Sequence, residues 1–157
     1  MRIQKITPFL VDRALIVRVY TDAGIVGTGE AGLWSHHPLV AKAIEDLSEY
    51  YVGKDPLRIE HHYQVVARDT HFQGAVLSSA MSAIDIALWD ILGKSVDKPV
   101  HQLLGGKVRD RVRTFANVVG ETLDARAENA HACVAQGFTS LRTQPFFRGW
   151  EADDSSR

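Results

Sequence analysis

The sequence predicts an α+β domain, made of a three-stranded antiparallel meander followed by helices, and after it a single β-α-β unit. Three observations support this prediction. Residues 2–30 alternate polar and apolar side chains in three runs that are separated by short turns. Residues 38–94 change to apolar spacings of three and four, which are typical of helices that bury one face. Beyond residue 108, a strand pattern, a helix pattern and a second strand pattern follow in that order.

The meander is predicted from three strands, over residues 2–11, 14–20 and 25–30. The turn sequence Thr21-Asp22-Ala23-Gly24 separates the last two, and so short a connection joins antiparallel neighbours. A first helix is predicted over residues 38–51. A second is predicted from Pro56, because proline is favourable in the first turn, to about Arg68. Its predicted buried residues are Leu57, Ile59 and Tyr63.

A third helix is predicted from an apolar stripe with spacings of three and four, formed by Ala80, Ile84, Ala87, Leu88, Ile91 and Leu92. Gly93 is expected to end this helix, and Pro99 cannot continue it. Asp85, Asp90 and Lys94 lie within the same segment. We expect structural roles for these three side chains, since a charged pair spaced by four is common on helix surfaces.

The β-α-β unit is predicted from strands at 112–119 and 139–143 with a helix at 123–136 between them. A strand, helix and strand in this order imply a parallel sheet. We therefore expect one domain over residues 1–108 and the start of a second over 109–147. Residues 148–157 are mostly polar and are expected to form a disordered tail.

The composition excludes several classes of function. A net charge of −1 without a basic block argues against nucleic-acid binding. No apolar stretch reaches the ~20 residues of a membrane-spanning helix, and no apolar signal-peptide segment follows Met1. The single cysteine, Cys133, forms no internal disulfide and fits a reducing compartment. We therefore expect a cytoplasmic protein with neither a nucleic-acid nor a membrane partner.

The residue sequence of the third helix is more informative about the protein family than its periodicity is. The run Ser-Ala-Ile-Asp-x-Ala-Leu-Trp-Asp-x-x-Gly-Lys, over residues 82–94, is followed by Pro-Val-x-Gln-Leu-Leu-Gly-Gly at 99–106. These segments resemble the signature of the mandelate racemase/muconate lactonizing branch of the enolase superfamily, and most closely its acid-sugar dehydratases. The resemblance implies that residues 1–108 form the family's N-terminal capping domain. Residues 109–147 would then begin an incomplete (β/α)₈ barrel, since a complete one needs ~250 residues.

The resemblance also implies a chemistry for the complete enzyme. Members of the family bind Mg²⁺ through carboxylates on the third, fourth and fifth barrel strands, and they abstract the proton α to a carboxylate of the substrate. None of those strands is reached here, so we expect neither catalytic nor metal-binding residues in this chain. The implied partners of the complete enzyme are an acid-sugar substrate and further copies of itself, as a homo-oligomer.

Six residues are candidates for contact with that substrate. Loops of the family's capping domain reach over the barrel mouth, which suggests Trp34, His36 and His37 in the loop after the third strand, and His71 before the third helix. Arg142 and Gln144 stand at the end of the second barrel strand, where many members of the family carry a Lys-x-Lys pair. A guanidinium stays protonated and an amide is not basic, so neither residue replaces the catalytic lysine. This difference favours dehydration over racemisation.

Other interpretations remain open. The chain could be a fragment of a dehydratase that is inactive by itself, or a non-catalytic module of the cap fold that binds a sugar acid or a partner subunit. The run Gly27-Thr28-Gly29-Glu30-Ala31-Gly32 matches a dinucleotide-binding pattern, but its setting favours glycines in a strand and its exit. The pairs His36-His37 and His61-His62 lack chelating spacing and are expected to be solvated or capping residues.

Overall fold

The computed structural model describes residues 1–69 and 73–144 and divides into two compact units, Met1–Lys107 and a second that begins at Val108. In the first unit, three strands are followed by four helices. They are β1 (Ile3–Val11), β2 (Ala14–Thr21), β3 (Val26–Ala31), α1 (His37–Tyr51), α2 (Ile59–Asp69), α3 (Ala75–Ser95) and α4 (Val100–Leu103). The strands form one antiparallel sheet in the order β1-β2-β3. The predicted meander followed by helices is confirmed.

One face of the sheet packs against the hydrophobic core. Leu15, Val17 and Val19 alternate along β2 and are fully buried, as the period of two predicts. The start of β1 is also paired on its outer side, because the Ile3 N–H donates to the Lys54 carbonyl and the Gly53 N–H donates to the Ile3 carbonyl. The loop after α1 is thereby fastened to the sheet.

Helix α3 lies in direct backbone contact with β3. A Cβ atom built on Gly29 would lie 2.0 Å from the carbonyl oxygen of Ala83, and one built on Gly27 would lie 2.0 Å from that of Ala87. Only hydrogen atoms fit at these two inward positions, and the facing residues of α3 are themselves alanines. The glycine run is therefore part of an antiparallel strand that packs on a helix, as its setting indicated, and it is not a phosphate-binding loop between a strand and a helix.

The conspicuous charged pair of α3 binds the free edge of β3. Asp90 Oδ2 accepts from the Thr28 N–H at 2.8 Å, and Lys94 Nζ donates to the Val26 carbonyl at 2.7 Å. The same two side chains form an ion pair at 2.7 Å. Asp90 and Lys94 thus have the expected structural role, and their partner is the third strand of their own unit.

Two predicted helix ends are wrong. Helix α2 begins at Ile59 and not at Pro56, because Asp55 first closes a turn in which its Oδ1 accepts from the Leu57 N–H at 3.0 Å. The buried side of α2 is consequently Ile59, His62 and Val66, while Leu57 and Tyr63 are exposed.

The end of α3 also differs from its prediction. The helix continues through Gly93 to Ser95. Gly93 is buried, and a Cβ there would lie 2.7 Å from the Lys98 carbonyl oxygen, where the chain folds back on the helix. The residue is a glycine because of this close approach, and it does not terminate the helix.

The second unit contains β4 (Ala116–Asn117), α5 (Leu123–Ala135) and β5 (Leu141–Arg142). The two strands pair in parallel, so the predicted β-α-β order is confirmed, although both strands are shorter than predicted. Thr122 caps the start of helix α5, because its hydroxyl accepts from the Ala125 N–H at 3.2 Å, and the helix is followed by Gly137 with φ of 94°. A threonine N-cap and a glycine after the C-terminus are common at helix ends.

We expect the two units to differ strongly in amide hydrogen exchange. The large apolar residues Val112, Val119 and Leu123 of the second unit are 64–76% exposed, whereas Ile84, Leu88 and Ile91 of α3 are buried. Local stability follows apolar burial, so amides 112–119 should exchange much faster than amides 84–92. Exchange followed by mass spectrometry on the 157-residue chain, with its mass in solution measured in parallel, checks this. Equal protection of both segments in a monomer would contradict it.

Within the part of the chain that the structure describes, α3 is the one helix long and apolar enough to cross a membrane by length and composition. Its apolar residues have a structural explanation, because Ala80, Ile84, Ala87, Leu88 and Ile91 form the core beneath the sheet.

Candidate functional site

The loop between β3 and α1 contains Trp34 and His36, and a third candidate residue, His37, is the first residue of α1 rather than part of the loop. The backbone of the loop is held in a turn, since the His36 N–H donates to the Leu33 carbonyl at 3.2 Å and Ser35 adopts a left-handed φ of 65°. The His36 carbonyl then accepts from the Leu39 and Val40 N–H groups and starts α1. The loop is therefore an ordered corner of the first unit.

The side chains of this corner divide between the core and the solvent. Leu33 packs against the core, Trp34 is 86% exposed, His36 is exposed and His37 is half-buried. An indole this exposed leaves a large apolar surface in water, which is unfavourable unless something covers it. A tryptophan ring with imidazoles beside it can stack on a ligand and exchange hydrogen bonds with hydroxyl or carboxylate groups.

Arg142 and Gln144 lie at the carboxyl end of β5 in the second unit, and both are exposed. The Arg142 carbonyl accepts from the Val118 N–H at 2.8 Å, and its guanidinium lies 5.8 Å from the centroid of the Phe115 ring. The Gln144 carbonyl accepts a hydrogen bond from Arg126. Arg142 and Gln144 therefore stand together on a hydrogen-bonded strand end, where they can bind an anion or a hydroxyl group.

The six candidates fall into two described groups and one residue that is not described. Trp34, His36 and His37 share one corner of the first unit, and Arg142 and Gln144 share one strand end of the second. His71 lies outside the described residues.

No carboxylate, histidine or thiol cluster suited to a metal ion is found in residues 1–69 and 73–144. The described residues therefore do not fit a Mg²⁺ site. Within the same ranges, the candidates supply a cation, an amide and imidazoles, which are groups that position a substrate.

Sequence reasoning missed a buried and hydrogen-bonded titratable group of the first unit, the imidazole of His62. This side chain was expected to be solvated or capping, but it is 1% exposed. Its Nε2 lies 2.8 Å from the Asp55 carbonyl oxygen, and its Nδ1 lies 3.0 Å from Tyr50 Oη. A carbonyl can only accept, so Nε2 carries the proton and Nδ1 accepts from the tyrosine hydroxyl. The spacing of Ile59, His62 and Val66 on one helix face was the available signal.

The shifted pKa values of the first unit come mainly from burial. Burial lowers the pKa of His62, the hydrogen bond to Asp55 opposes that shift, and the charges of His61, Arg58 and Lys54 add to it. Burial also raises the pKa values of Tyr51 and Asp85. Burial likewise raises the pKa of Tyr50. These groups are buried or half-buried, and none of them is a residue of the exposed corner at Trp34.

The chain thus contains a small α+β unit with an exposed aromatic corner and, later in the sequence, a parallel β-α-β unit of the α/β class with polar groups at a strand end. Residues 6–105 match the family described as mandelate racemase / muconate lactonizing enzyme, N-terminal domain. The chain belongs to this family, and its first unit is the family's capping domain.

Curated relatives of the chain include D-galactonate dehydratases. The chain is 40% identical over 144 residues to D-galactonate dehydratase of Verminephrobacter eiseniae (strain EF01-2), covering 90% of this chain and 38% of that protein. It is 43% identical over 123 residues to D-galactonate dehydratase of Pectobacterium atrosepticum, covering 77% and 32%. The chain thus spans less than two-fifths of the length of these relatives.

Solved structures of the superfamily share the fold. An enolase from Pantoea ananatis with bound D-gluconate and magnesium superposes with a TM-score of 0.83 at 32% identity, over 91% of this chain and 36% of that one. A member of the enolase superfamily from Salmonella Typhimurium superposes with a TM-score of 0.82 at 31% identity, over 91% and 42%. The resemblance inferred from the helix signature is confirmed.

Proposed function

We propose that this chain is the N-terminal part of an acid-sugar dehydratase, with residues 1–108 as its cap and residues 109–147 as the start of its barrel. The observation that supports the proposal best is the 40% identity to D-galactonate dehydratase, which extends over 144 residues and therefore past the cap. The complete enzyme would be a cytoplasmic homo-oligomer that acts on a sugar acid.

The proposed reaction is removal of the proton α to the substrate carboxylate, followed by loss of the β-hydroxyl as water. Mg²⁺ in the complete enzyme would stabilise the charge that develops on the carboxylate. The described residues hold no metal-binding cluster, so its ligands are assigned to sequence beyond this chain, as is the catalytic base. By itself the chain is proposed to be inactive.

The roles proposed for this chain are those of positioning. Trp34 would cover an apolar face of the sugar acid, and His36 and His37 would exchange hydrogen bonds with its hydroxyl groups. Arg142 carries a permanent positive charge suited to a carboxylate. Gln144 would donate or accept one hydrogen bond. His71 is proposed as a further contact of the same substrate on the basis of its place before α3.

Dehydration follows from the chemistry of Arg142 and Gln144. Racemisation needs a proton-transfer group on each face of the planar intermediate, each with a pKa near the working pH. Neither a guanidinium nor an amide meets that requirement. Dehydration needs one base and one acid, and both can be supplied by later strands of a complete barrel.

We expect a chimera to convert D-galactonate to its 2-keto-3-deoxy product. The chimera joins residues 1–144 to the part of the Verminephrobacter eiseniae enzyme that follows the matched region. It is assayed with Mg²⁺ in D₂O, beside the 157-residue chain, which should show no turnover. Appearance of the deuterated α-epimer without water loss would overturn the assignment, and so would turnover by the 157-residue chain.

A matched pair of variants tests the role of Gln144 in the chimera. Gln144→Ala should lower kcat/KM by about tenfold, since it removes one hydrogen bond, and should leave the shape of the pH profile unchanged. Gln136→Ala, which changes the same residue type at the end of α5, should leave both unchanged. A well-folded chimera that binds D-galactonate without converting it would favour the alternative, a non-catalytic module that binds a sugar acid.

A further inference from the structure

The first unit contains a groove of about 270 Å³ that is far more basic than the chain as a whole. We call it the basic groove, and we define it by four basic lining residues: the cations Arg2, Lys54 and Arg58, and the imidazole of His61. They come from the N-terminus, the loop after α1 and helix α2. Segments that are distant in the sequence thus bring positive groups to one concave surface, although the net charge of the chain is −1.

Among the described residues, no carboxylate forms an ion pair with these cations. In the described residues, the ion pairs of the first unit are Lys42 with Glu45 and Lys94 with Asp90, and neither pair lies in the groove. Asp55 also lines the groove, where its Oδ1 accepts from the Leu57 N–H, and its carboxylate offsets one of the three positive charges of Arg2, Lys54 and Arg58. The groove therefore keeps an excess of positive charge.

Two of the cations are held in place by contacts that do not involve a negative charge. Arg2 Nη1 donates to the Gly53 carbonyl at 3.0 Å, and Lys54 Nζ lies 4.7 Å from the centroid of the Tyr50 ring. Such contacts restrict the side chains before any ligand arrives, and that lowers the entropy lost on binding. The remaining N–H donors of both groups stay available.

The positive charges of the groove, together with burial, affect the pKa of the buried His62. His62 forms the inner wall of the groove, and the nearby charges of His61, Arg58 and Lys54 act together to lower the pKa of this buried imidazole. Like charges brought together on a low-dielectric wall repel one another, which makes binding of a counter-charge favourable.

We propose that the basic groove binds a small anion that carries two or more negative charges on phosphate or carboxylate groups. Arg2 and Arg58 offer planar forked donors that match the oxygen pairs of such groups, and Lys54 adds a point charge. The volume suits a phosphate or a short polycarboxylate rather than a folded partner. The proposal concerns the cap alone and does not depend on the reaction of the complete enzyme.

The test uses the 157-residue chain with inorganic pyrophosphate, citrate and D-gluconate, in calorimetric titrations at constant ionic strength. Pyrophosphate and citrate represent the phosphate and the carboxylate sources of the same chemistry. At least one of them should bind at a single saturable site, while the monovalent gluconate should bind at least about tenfold more weakly, because it satisfies fewer cations. Binding should move the NMR signals of the His62 ring, which lies in the wall of the groove.

Two matched variants test whether the anion binds in the basic groove. The double substitution Lys54→Met with Arg58→Met keeps most of the apolar stems and removes two charges, so affinity should fall by about tenfold or more. Lys42→Met makes the same change outside the groove and should leave affinity unchanged. The proposal is overturned if neither polyanion binds, if the double variant binds as the parent does, or if binding leaves the His62 signals in place.

Discussion

We expect Gly29→Ala to destabilise the first unit by about 3 kcal/mol, which is at the upper end for overpacking of a close contact. The added Cβ would lie 2.0 Å from the Ala83 carbonyl oxygen, and its other near neighbours, Ala83 C and Ala87 N, are also backbone atoms. No side chain can rotate away, so α3 and β3 must separate. Urea unfolding followed by circular dichroism measures the change.

Gly32→Ala is the matched control for that substitution. Gly32 follows the same strand, its added Cβ meets no atom within 4 Å, and its backbone does not have the positive φ that favours glycine. We expect a change within about 0.5 kcal/mol, as at ordinary surface positions. If Gly29→Ala were as stable as Gly32→Ala, the close contact of α3 with β3 would be wrong.

The second large effect is a loss of stability on acidification. We expect the free energy of unfolding to fall as His62 becomes protonated. Its pKa is lowered in the folded chain, chiefly by burial, so the neutral ring is favoured there. The stabilisation is therefore fully present above the unfolded value of about 6.5 and is lost as the pH falls toward the folded value. Below pH of about 6.5, the free energy of unfolding should fall by up to about 1.4 kcal/mol for each pH unit from this group.

His62→Gln isolates this contribution, because the amide keeps hydrogen-bonding groups and does not titrate in this range. Its free energy of unfolding should be lower at neutral pH and should depend less on pH between about 4 and 6.5 than that of the parent. His36→Gln, the same change at an exposed histidine, should retain the parent dependence. Asp85 acts in the opposite sense, since its raised pKa gives stability that is lost as the pH rises, and it is common to all three chains. An unchanged slope in His62→Gln would contradict the prediction.

The sheet and helices could be predicted because local patterns and tertiary packing agree there. The alternation in β2 becomes its burial, and the apolar stripe of α3 becomes the core. Errors arose where one specific contact near a helix end outweighed the general preference of a residue type. Gly93 was interpreted as a helix end because local rules place glycine there, yet it is required by the approach of Lys98. Pro56 was interpreted as a helix start, but the turn made by Asp55 delays α2.

The candidate site could be predicted only in part. The binding roles of the residues at Trp34 and at the end of β5 come from the family resemblance and stay a prediction; the structure adds that Trp34, Arg142 and Gln144 are exposed. The burial of His62 could not be inferred from residue type, because a histidine in a helix is more often solvated. Its burial depends on Tyr50 and on the Asp55 carbonyl, which tertiary folding brings to the two ring nitrogens.

The contact of Asp90 and Lys94 with β3 has a consequence for association between molecules. An outer strand with unpaired N–H and C=O groups is a template on which another chain can add a strand. In this fold the Thr28 N–H and the Val26 carbonyl are occupied by two side chains from α3, a helix that comes some sixty residues later. During synthesis, β3 therefore remains open to intermolecular pairing until α3 has docked. The signature helix therefore occupies part of this strand edge as well as filling the core beneath the sheet.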